Sequence, residues 1–280
     1  MTDRARLLQA DGFNQLAAVP AGYWLYNIHD LYIGQAIAKY GEYARLETRF
    51  LEPLCHPGDI VIDVGANIGV HTVTFARRVG SEGAVIAFEP QRLVFQALCA
   101  NVALNSLANV ECHQAAIGAT RGTVVVPELD FNRAANFGAV SLATNRQGRP
   151  VPMLPLDDFA GLPRLRLVKI DIEGMEIEAI EGAKRLIAQF RPLLYVENDR
   201  VENSERMLRL IDDLGYDMYW HVTPLFNPDN AYGERDNIYE KLASFNVLGV
   251  HRDARANVVG VEKITDFASH PLRPGTVGTG

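Results

Sequence analysis

Short apolar runs alternate along the chain with longer segments whose apolar residues recur every three or four positions. Short runs bounded by glycine, proline or charged residues are typical of buried strands, and the longer spacing is typical of helices. The pattern predicts strands at residues 59–64, 84–88, 110–115, 165–170, 193–196, 216–220 and 245–250, and helices at 70–79, 93–105, 175–189 and 204–214. This alternation predicts an α/β fold with a mainly parallel seven-stranded sheet and helices on both faces.

The same pattern divides the chain into a central domain and two flanks. Residues 58–252 carry the alternation and are predicted to form one domain, with an irregular insertion that contains some strand pairing at 121–164 and a second insertion at 224–244. Residues 1–57 have looser helical spacing and are predicted to form a helical preface of that domain. Residues 253–280 are predicted to be a C-terminal extension that is partly mobile.

Charge and composition argue against several classes of partner. The chain has 27 basic and 34 acidic residues, a net charge of −7 and a pI near 5.5, without a cluster of lysine and arginine. Nucleic acid and anionic membrane surfaces are therefore disfavoured as partners. No window approaches the roughly 20 apolar residues of a membrane span. Three cysteines without CxxC spacing and the lack of an apolar leader predict a cytoplasmic protein without disulfides.

A glycine-containing turn follows the first predicted strand of the domain, at residues 63–69. Gly65 can adopt backbone conformations closed to other residues and can approach a ligand closely. The next helix begins near Gly69, so its first amides point toward the same place. Glu89 ends the second strand, where a carboxylate can accept hydrogen bonds from ribose hydroxyls. These features predict a nucleoside-containing ligand.

The turn differs from a dinucleotide fingerprint. In a GxGxxG pattern starting at Gly65, the second and third glycines would stand where the chain has Asn67 and Val70. A pyrophosphate would be crowded there, and the carboxylate of Asp63 favours a cation over a diphosphate. S-adenosylmethionine carries a sulfonium and an ammonium, which Asp63 or Asp171 could oppose. A nicotinamide-dependent oxidoreductase and a non-catalytic binding module remain as alternatives.

Several motifs together resemble the FkbM family of methyltransferases. They are Val61–Gly69 with Thr72, Phe88–Pro90, Asn136–Leu142, Pro155–Asp158, Val168–Glu176, Glu181–Ala183 and Arg191–Pro192, within residues 41–200. The resemblance implies a Rossmann-like class I methyltransferase fold, with residues 58–252 as the catalytic domain. It also implies S-adenosylmethionine as cofactor and O-methylation of a hydroxyl on a sugar, glycan or natural product. The implied cofactor-binding residues are Asp63, Gly65, Ala66, Asn67, Gly69, Thr72, Glu89, Pro90 and Asp171.

Four polar residues at or just after the later strands form the candidate acceptor site. Asp171 follows strand four, Glu197 and Asn198 follow strand five, and His221 follows strand six. The carboxyl ends of strands in an open α/β sheet lie at one edge, so these four are expected to cluster. Methyl transfer to oxygen requires a held acceptor and a route for its proton.

Two hypotheses for that proton remain open. His221 could be the base, because an imidazole exchanges protons near neutral pH. Alternatively, Asp171, Glu197 and Asn198 could bind Mg²⁺ or a similar cation through oxygen, a placement similar to that of catechol O-methyltransferase. Glu197 stands where that enzyme has an aspartate, which weakens the metal hypothesis.

The preface contains an aromatic group with two possible roles. Its members are Tyr23, Trp24, Tyr26 and Tyr32. They could form a lid over the acceptor or the packing face of the preface helices.

Overall fold

The structure is a computed structural model that describes residues 11–138, 147–255 and 258–272. Residues 139–142 of the motif at 136–142 lie outside these ranges. The first ten residues of the predicted preface and the last eight of the predicted extension do so as well.

The strands and helices are numbered in chain order. The first group is β1 (Asn14–Val19), β2 (Gly22–Asn27), α1 (Ile33–Tyr40), α2 (Arg45–Leu51), β3 (Ile60–Val64), α3 (Val70–Val79), β4 (Ala84–Phe88), α4 (Arg92–Leu104), β5 (Val110–His113), β6 (Ala116–Ile117) and β7 (Gly122–Val126). The second group is β8 (Arg149–Leu154), β9 (Leu167–Ile170), α5 (Glu176–Glu181), α6 (Lys184–Phe190), β10 (Leu193–Glu197), α7 (Val201–Asp213), β11 (Tyr216–Pro224), β12 (Ala243–His251) and β13 (Glu262–Lys263).

Eight strands form the central sheet, in the order β13-β11-β12-β10-β9-β3-β4-β5. The five strands from β5 to β10 in this order are parallel, whereas β12 is antiparallel to both β10 and β11. All seven predicted strands are present, so the predicted mainly parallel α/β sheet is confirmed. The two-residue β13 adds an eighth strand at the edge, which the sequence pattern does not predict.

The strand order reverses at the centre of the sheet. From β3 the chain continues to β4 and β5 on one side, and later to β9 and β10 on the other. The loops after β3 and β9 therefore leave in opposite directions and open a crevice at their carboxyl ends. In open α/β sheets this is where ligands bind.

Two apolar cores cover the faces of the sheet because side chains alternate along each strand. Ile62 packs on one face with Leu208 of α7, and Val61 packs on the other with Phe75 of α3. Each fully buried side chain of this size contributes roughly 1.5–3 kcal/mol relative to an exposed one. Asp63 follows Ile62 and therefore points to the face covered by α3.

The predicted helical preface is wrong for residues 14–27, which form the antiparallel hairpin of β1 and β2. Trp24 and Tyr26 are buried, whereas Tyr23, on the turn side of Trp24, is exposed. Alternation with a period of two residues is typical of a strand. The Asn101 side chain on α4 accepts from the Leu25 amide at 2.6 Å and donates to its carbonyl at 3.1 Å. Residues 33–40 and 45–51 are helical, as α1 and α2.

The predicted helix at 175–189 is two helices, α5 and α6, separated at Gly182 and Ala183. A side chain at Gly182 would lie 2.2 Å from the carbonyl oxygen of Gly118. The glycine at this break therefore allows the loop at Gly118 to approach closely. That loop leads into a three-stranded sheet of order β6-β8-β7, which lies largely in the insertion at 121–164 where some strand pairing is predicted. None of the helices in the described ranges is long and apolar enough to cross a membrane.

Candidate active site

A cavity of about 300 Å³ lies in the crevice at the carboxyl ends of β3, β4, β9 and β10. Six of the residues predicted to bind the cofactor line it: Gly65, Ala66, Asn67, Glu89, Pro90 and Asp171. Asp63, Gly69 and Thr72 do not line it. Direct contact of these three residues with the cofactor stays a prediction.

The turn after β3 is held by neighbouring backbone. The amides of Gly65 and Ala66 both donate to the Phe88 carbonyl, at 3.0 and 2.9 Å. Gly65 has φ 78°, and a side chain there would meet the Asp171 carbonyl oxygen at 1.8 Å. The glycine is therefore required by the loop after β9 and not only by a ligand.

Glu89 is buried in the cavity wall with both carboxylate oxygens occupied. Oε2 accepts from the Asn67 amide at 3.1 Å, and Oε1 accepts from the Gln91 amide at 2.8 Å. Burial raises the pKa of Glu89 to about 7, although these two amide bonds act in the opposite direction. Each oxygen can accept a further hydrogen bond, which makes this carboxylate a receptor for a pair of hydroxyls.

Lys169 joins the two aspartates predicted to face the cofactor. Its ammonium nitrogen lies 3.1 Å from Asp171 Oδ2 and 3.6 Å from Asp63 Oδ1, with its side chain 3% exposed. Burial would lower the pKa of Lys169, but the charges of Asp171 and Asp63 raise it overall. Asp63 also accepts from the Thr72 hydroxyl at 2.6 Å, which ties β3 to α3. Asp63 and Thr72 thus stabilise the cavity wall without lining the cavity.

The four residues predicted to form the acceptor cluster are not all brought together. Asp171 and Glu197 line the cavity, whereas Asn198 and His221 do not. Asn198 donates to the Ser204 hydroxyl at 2.9 Å, inside the protein. β11 runs on to Pro224, so His221 lies within a strand and not at its end.

His221 packs behind the cavity. Its ring stacks on Phe50 with 3.8 Å between centroids, and Nδ1 lies 2.7 Å from the Tyr195 hydroxyl. Burial lowers the pKa of His221 and so favours the neutral ring. The expectation that His221 faces the reacting atoms is corrected, because it reaches the cavity only through Tyr195 and the Glu47 carboxylate beyond it.

The carboxylates that lie close enough to share a cation are Glu173, Glu197 and Asp199. One oxygen of each lies within 4.8 Å of the others. Only Glu197 belongs to the predicted ligand set of Asp171, Glu197 and Asn198, which stays a prediction. Burial, followed by the charges of Asp171 and Asp199, raises the pKa of Glu197 well above its usual value. Its Oε2 is buried without a hydrogen-bond partner among the described residues.

A family model described as the methyltransferase FkbM domain matches residues 63–218, more than half of the chain. The chain belongs to the FkbM methyltransferase family. The resemblance inferred from the motifs is thereby confirmed.

Three proteins similar to the chain share 16–27% of its residues over the matched regions. Methyltransferase 1 of Beauveria bassiana is 27% identical over 143 residues, which cover 44% of this chain and 57% of that protein. Methyltransferase sdnD of Sordaria araneosa is 25% identical over 191 residues, 56% of this chain and 73% of that protein. The crystal structure of methyltransferase FkbM from Methylobacillus flagellatus has a TM-score of 0.44 at 16% identity, covering 73% of this chain and 50% of that one. The match to the first relative therefore spans less than two thirds of its length.

Glu47 of α2 and His71 of α3 are among the residues of this FkbM family member that line the cavity without having been predicted from the sequence. Their Oε2 and Nε2 atoms lie 3.2 Å apart. His71 could have been noticed because it lies two residues after Gly69, in the first turn of the helix that starts at the cavity. Glu47 lies in the preface, 24 residues earlier, and only folding places it here.

The aromatic group of the preface is divided between the core, the cavity wall and the surface. Trp24 and Tyr26 belong to the core between the hairpin, α1 and α4. Tyr32 lines the cavity together with Tyr43, and Tyr23 is 52% exposed. The packing interpretation therefore holds for Trp24 and Tyr26.

Proposed function

We propose that this protein is an S-adenosylmethionine-dependent methyltransferase that transfers the methyl group to a hydroxyl of a small molecule or glycan. The observation that carries the proposal is Glu89, a buried carboxylate in the wall of the switch-point cavity beside the turn at Gly65–Asn67. Membership of the FkbM family supports methyl transfer as the reaction.

The cavity residues suit this cofactor. Glu89 would hold the ribose hydroxyls, the turn from Gly65 to Asn67 would face the amino-acid end, and Asp171 would oppose its positive charge. The bound cofactor would supply a methyl group activated by the sulfonium. The chain itself would orient the acceptor oxygen and exclude water, and such positioning is a large part of catalysis.

Charge separates this proposal from the nicotinamide alternative. Glu89, Asp171, Glu173 and Glu197 all line the cavity, and Lys169 is the lysine among its lining residues. A diphosphate would meet these carboxylates at close range, whereas a sulfonium and an ammonium would be attracted to them. Calorimetric titration with S-adenosylhomocysteine and with NAD tests the proposal, which expects binding of the first alone. Binding of NAD alone would overturn it.

The pH dependence of S-adenosylhomocysteine binding provides a sharper prediction. The pKa of Glu89 is about 7 in the free protein, and ribose hydroxyls donating to the ionised form would lower it. Binding then releases a proton, so affinity is expected to rise about tenfold between pH 6 and 8 and to level off above. Glu89→Gln is expected to lower affinity roughly ten- to a hundredfold and to remove the pH dependence. A pH dependence that survives in Glu89→Gln would exclude this role.

A screen for the acceptor tests the hydroxyl part of the proposal. Transfer of labelled methyl groups is measured to methyl glycosides, to phenols and to total RNA as the contrasting substrate. Methylation of a glycoside or phenol is expected, with little dependence on ionic strength because the chain lacks a basic stripe. Methylation of RNA that falls steeply with salt would contradict it, because phosphate contacts have that signature.

The second hypothesis for the chemical step is a cation held by Glu173, Glu197 and Asp199. Glu173 already has a counter-ion in Arg200, at 3.1 Å, and Asp171 has one in Lys169. We therefore expect chelation with EDTA to leave methylation of the active glycoside or phenol unchanged. Loss of activity that added Mg²⁺ restores would instead support metal catalysis.

A further inference from the structure

The contact between His71 and Glu47 is the feature of the cavity that the proposed function leaves unexplained. His71 is the histidine that lines the cavity among the described residues, and it is only 8% exposed. Its Nε2 lies 3.2 Å from Glu47 Oε2. Nε2 is buried and forms no hydrogen bond among the described residues. Nδ1 forms none there either, but it is not fully buried. One ring nitrogen is thus turned to a carboxylate and the other is left for a ligand.

Glu47 is held in place by three further groups. Its Oε1 accepts from the Ser244 hydroxyl at 2.8 Å, from the Asn246 amide and from the Tyr195 hydroxyl at 3.3 Å. Burial alone would raise the pKa of Glu47, but the close approach of His71 and the hydrogen bond from Ser244 lower it to about 2. Glu47 therefore stays anionic near neutral pH and favours the tautomer of His71 with hydrogen on Nε2.

Several polar groups of the cavity wall already have partners. Asp171 is paired with Lys169, and Glu173 with Arg200. Glu89 accepts from two backbone amides at the cofactor end. His71 supplies the imidazole that lines the cavity among the described residues, and imidazole is the side chain most often used as a general base.

We propose that His71 is the general base of the methyl transfer and that Glu47 is its positioning residue. The proposal rests on the proposed function. As the acceptor oxygen bonds to the methyl carbon, the bond from that carbon to sulfur breaks and its electron pair stays on sulfur. The hydroxyl proton moves to Nδ1 of His71, and the resulting imidazolium is stabilised by the Glu47 carboxylate. This is the way a buried carboxylate orients and stabilises a histidine base in other enzymes.

The charged and titratable groups around His71 determine how the rate should depend on pH. Glu47 faces it from α2, and Lys169 and Asp171 line the same cavity from β9 and the loop after it. Tyr43 lies on the cavity wall, and Tyr195 contacts Glu47 from β10. Glu47 and Asp171 bring negative charge to this part of the cavity, and Lys169 brings positive charge. Turnover is expected to rise with pH as His71 loses its proton and then to level off.

Nitrogen-15 NMR of histidine-labelled protein tests the geometry without any acceptor. With the His71 signals assigned by their loss in His71→Gln, the ring is expected as the Nε2–H tautomer with Nδ1 unprotonated at pH 8. In Glu47→Gln the titration midpoint of these signals is expected to move to lower pH, because the stabilising anion is gone. An Nδ1–H tautomer in the unaltered protein would overturn the proposal, whether or not an acceptor is known.

Turnover on the methyl glycoside or phenol that the screen identifies tests the chemistry. His71→Gln is expected to lower kcat by roughly a hundredfold to ten-thousandfold and to remove its acid limb. Affinity for S-adenosylhomocysteine should stay within about threefold, which separates loss of the base from loss of the cofactor site. Glu47→Gln is expected to keep a pH-dependent rate with its acid limb at lower pH, which a purely structural role would not produce.

Two comparison variants complete the experiment. His56→Gln removes an exposed histidine outside the cavity and is expected to behave as the unaltered protein. His221→Gln removes the base suggested by the sequence, and a fall in kcat equal to that of His71→Gln would overturn the assignment. If the unaltered protein fails to bind S-adenosylhomocysteine, the proposed function fails. If it binds and His71→Gln keeps full kcat, the inference alone fails.

Discussion

Replacing Gly65 with alanine is expected to weaken binding of S-adenosylhomocysteine at least about a hundredfold and to lower the free energy of unfolding by roughly 3 kcal/mol. The added carbon would lie 1.8 Å from the Asp171 carbonyl oxygen, so the loops after β3 and β9 would have to separate. Those loops carry the cavity-lining Asn67 and Asp171, and their separation would change the cofactor site directly. Calorimetry measures the affinity and urea denaturation the stability.

Gly80 provides the matched control for this variant. It has a similarly positive φ of 66°, but no atom lies within 4 Å of a side chain placed there. With ψ −171°, Gly80 lies in a region that is essentially restricted to glycine, so Gly80→Ala carries only backbone strain, about 1–3 kcal/mol, and cofactor affinity should be unchanged. Equal effects of the two substitutions would mean that the close approach of the Asp171 loop is unimportant.

Lys169→Met is expected to lower the free energy of unfolding by about 3–5 kcal/mol, the usual cost of leaving a buried charge without its partner. Two carboxylates would lose their counter-ion, and Asp63 Oδ1 has no hydrogen-bond partner among the described residues to replace it. The raised pKa of Lys169 means that this stabilisation is complete below its unfolded value near 10.5 and is lost only at higher pH. Urea denaturation at pH 7 measures the full effect.

A second substitution tests the electrostatic origin of that loss. Asp63→Asn removes one of the two orphaned charges and leaves an oxygen for the Thr72 hydroxyl, so adding it to Lys169→Met should recover at least about 1 kcal/mol. Lys39→Met breaks a surface pair with Asp236 and is expected to leave stability unchanged within error. A double variant less stable than Lys169→Met would show that volume, and not charge, explains the loss.

Sequence patterns predicted much of the cofactor end of this site because its parts are local. The turn at residues 63–69 directly follows a buried strand, and Glu89 ends the next one. Parallel neighbours place such ends side by side, and the structure pairs Val64 with Phe88 accordingly. Six of the nine proposed contacts therefore line the cavity.

The acceptor end was predicted less well because it depends on how far each strand extends and where its side chains point. β11 continues for four residues beyond Trp220, since antiparallel pairing with β12 reaches Pro224. This extension places His221 inside the sheet. Neighbouring side chains of an extended segment point in opposite directions. The Asn198 side chain therefore turns inward to Ser204, whereas the Glu197 side chain lines the cavity.

The sequence by itself determined the order of strands and helices, the family, and the glycine turn with its carboxylate, because each is encoded over a few neighbouring residues. Only the tertiary structure decided which polar groups meet across the cavity. Glu47 reaches His71 from a separate helix, and its carboxylate also binds Ser244 of β12, far along the chain. Such contacts join residues that are far apart in the sequence through burial and hydrogen bonding. The local hydrophobic pattern of the sequence therefore does not predict them.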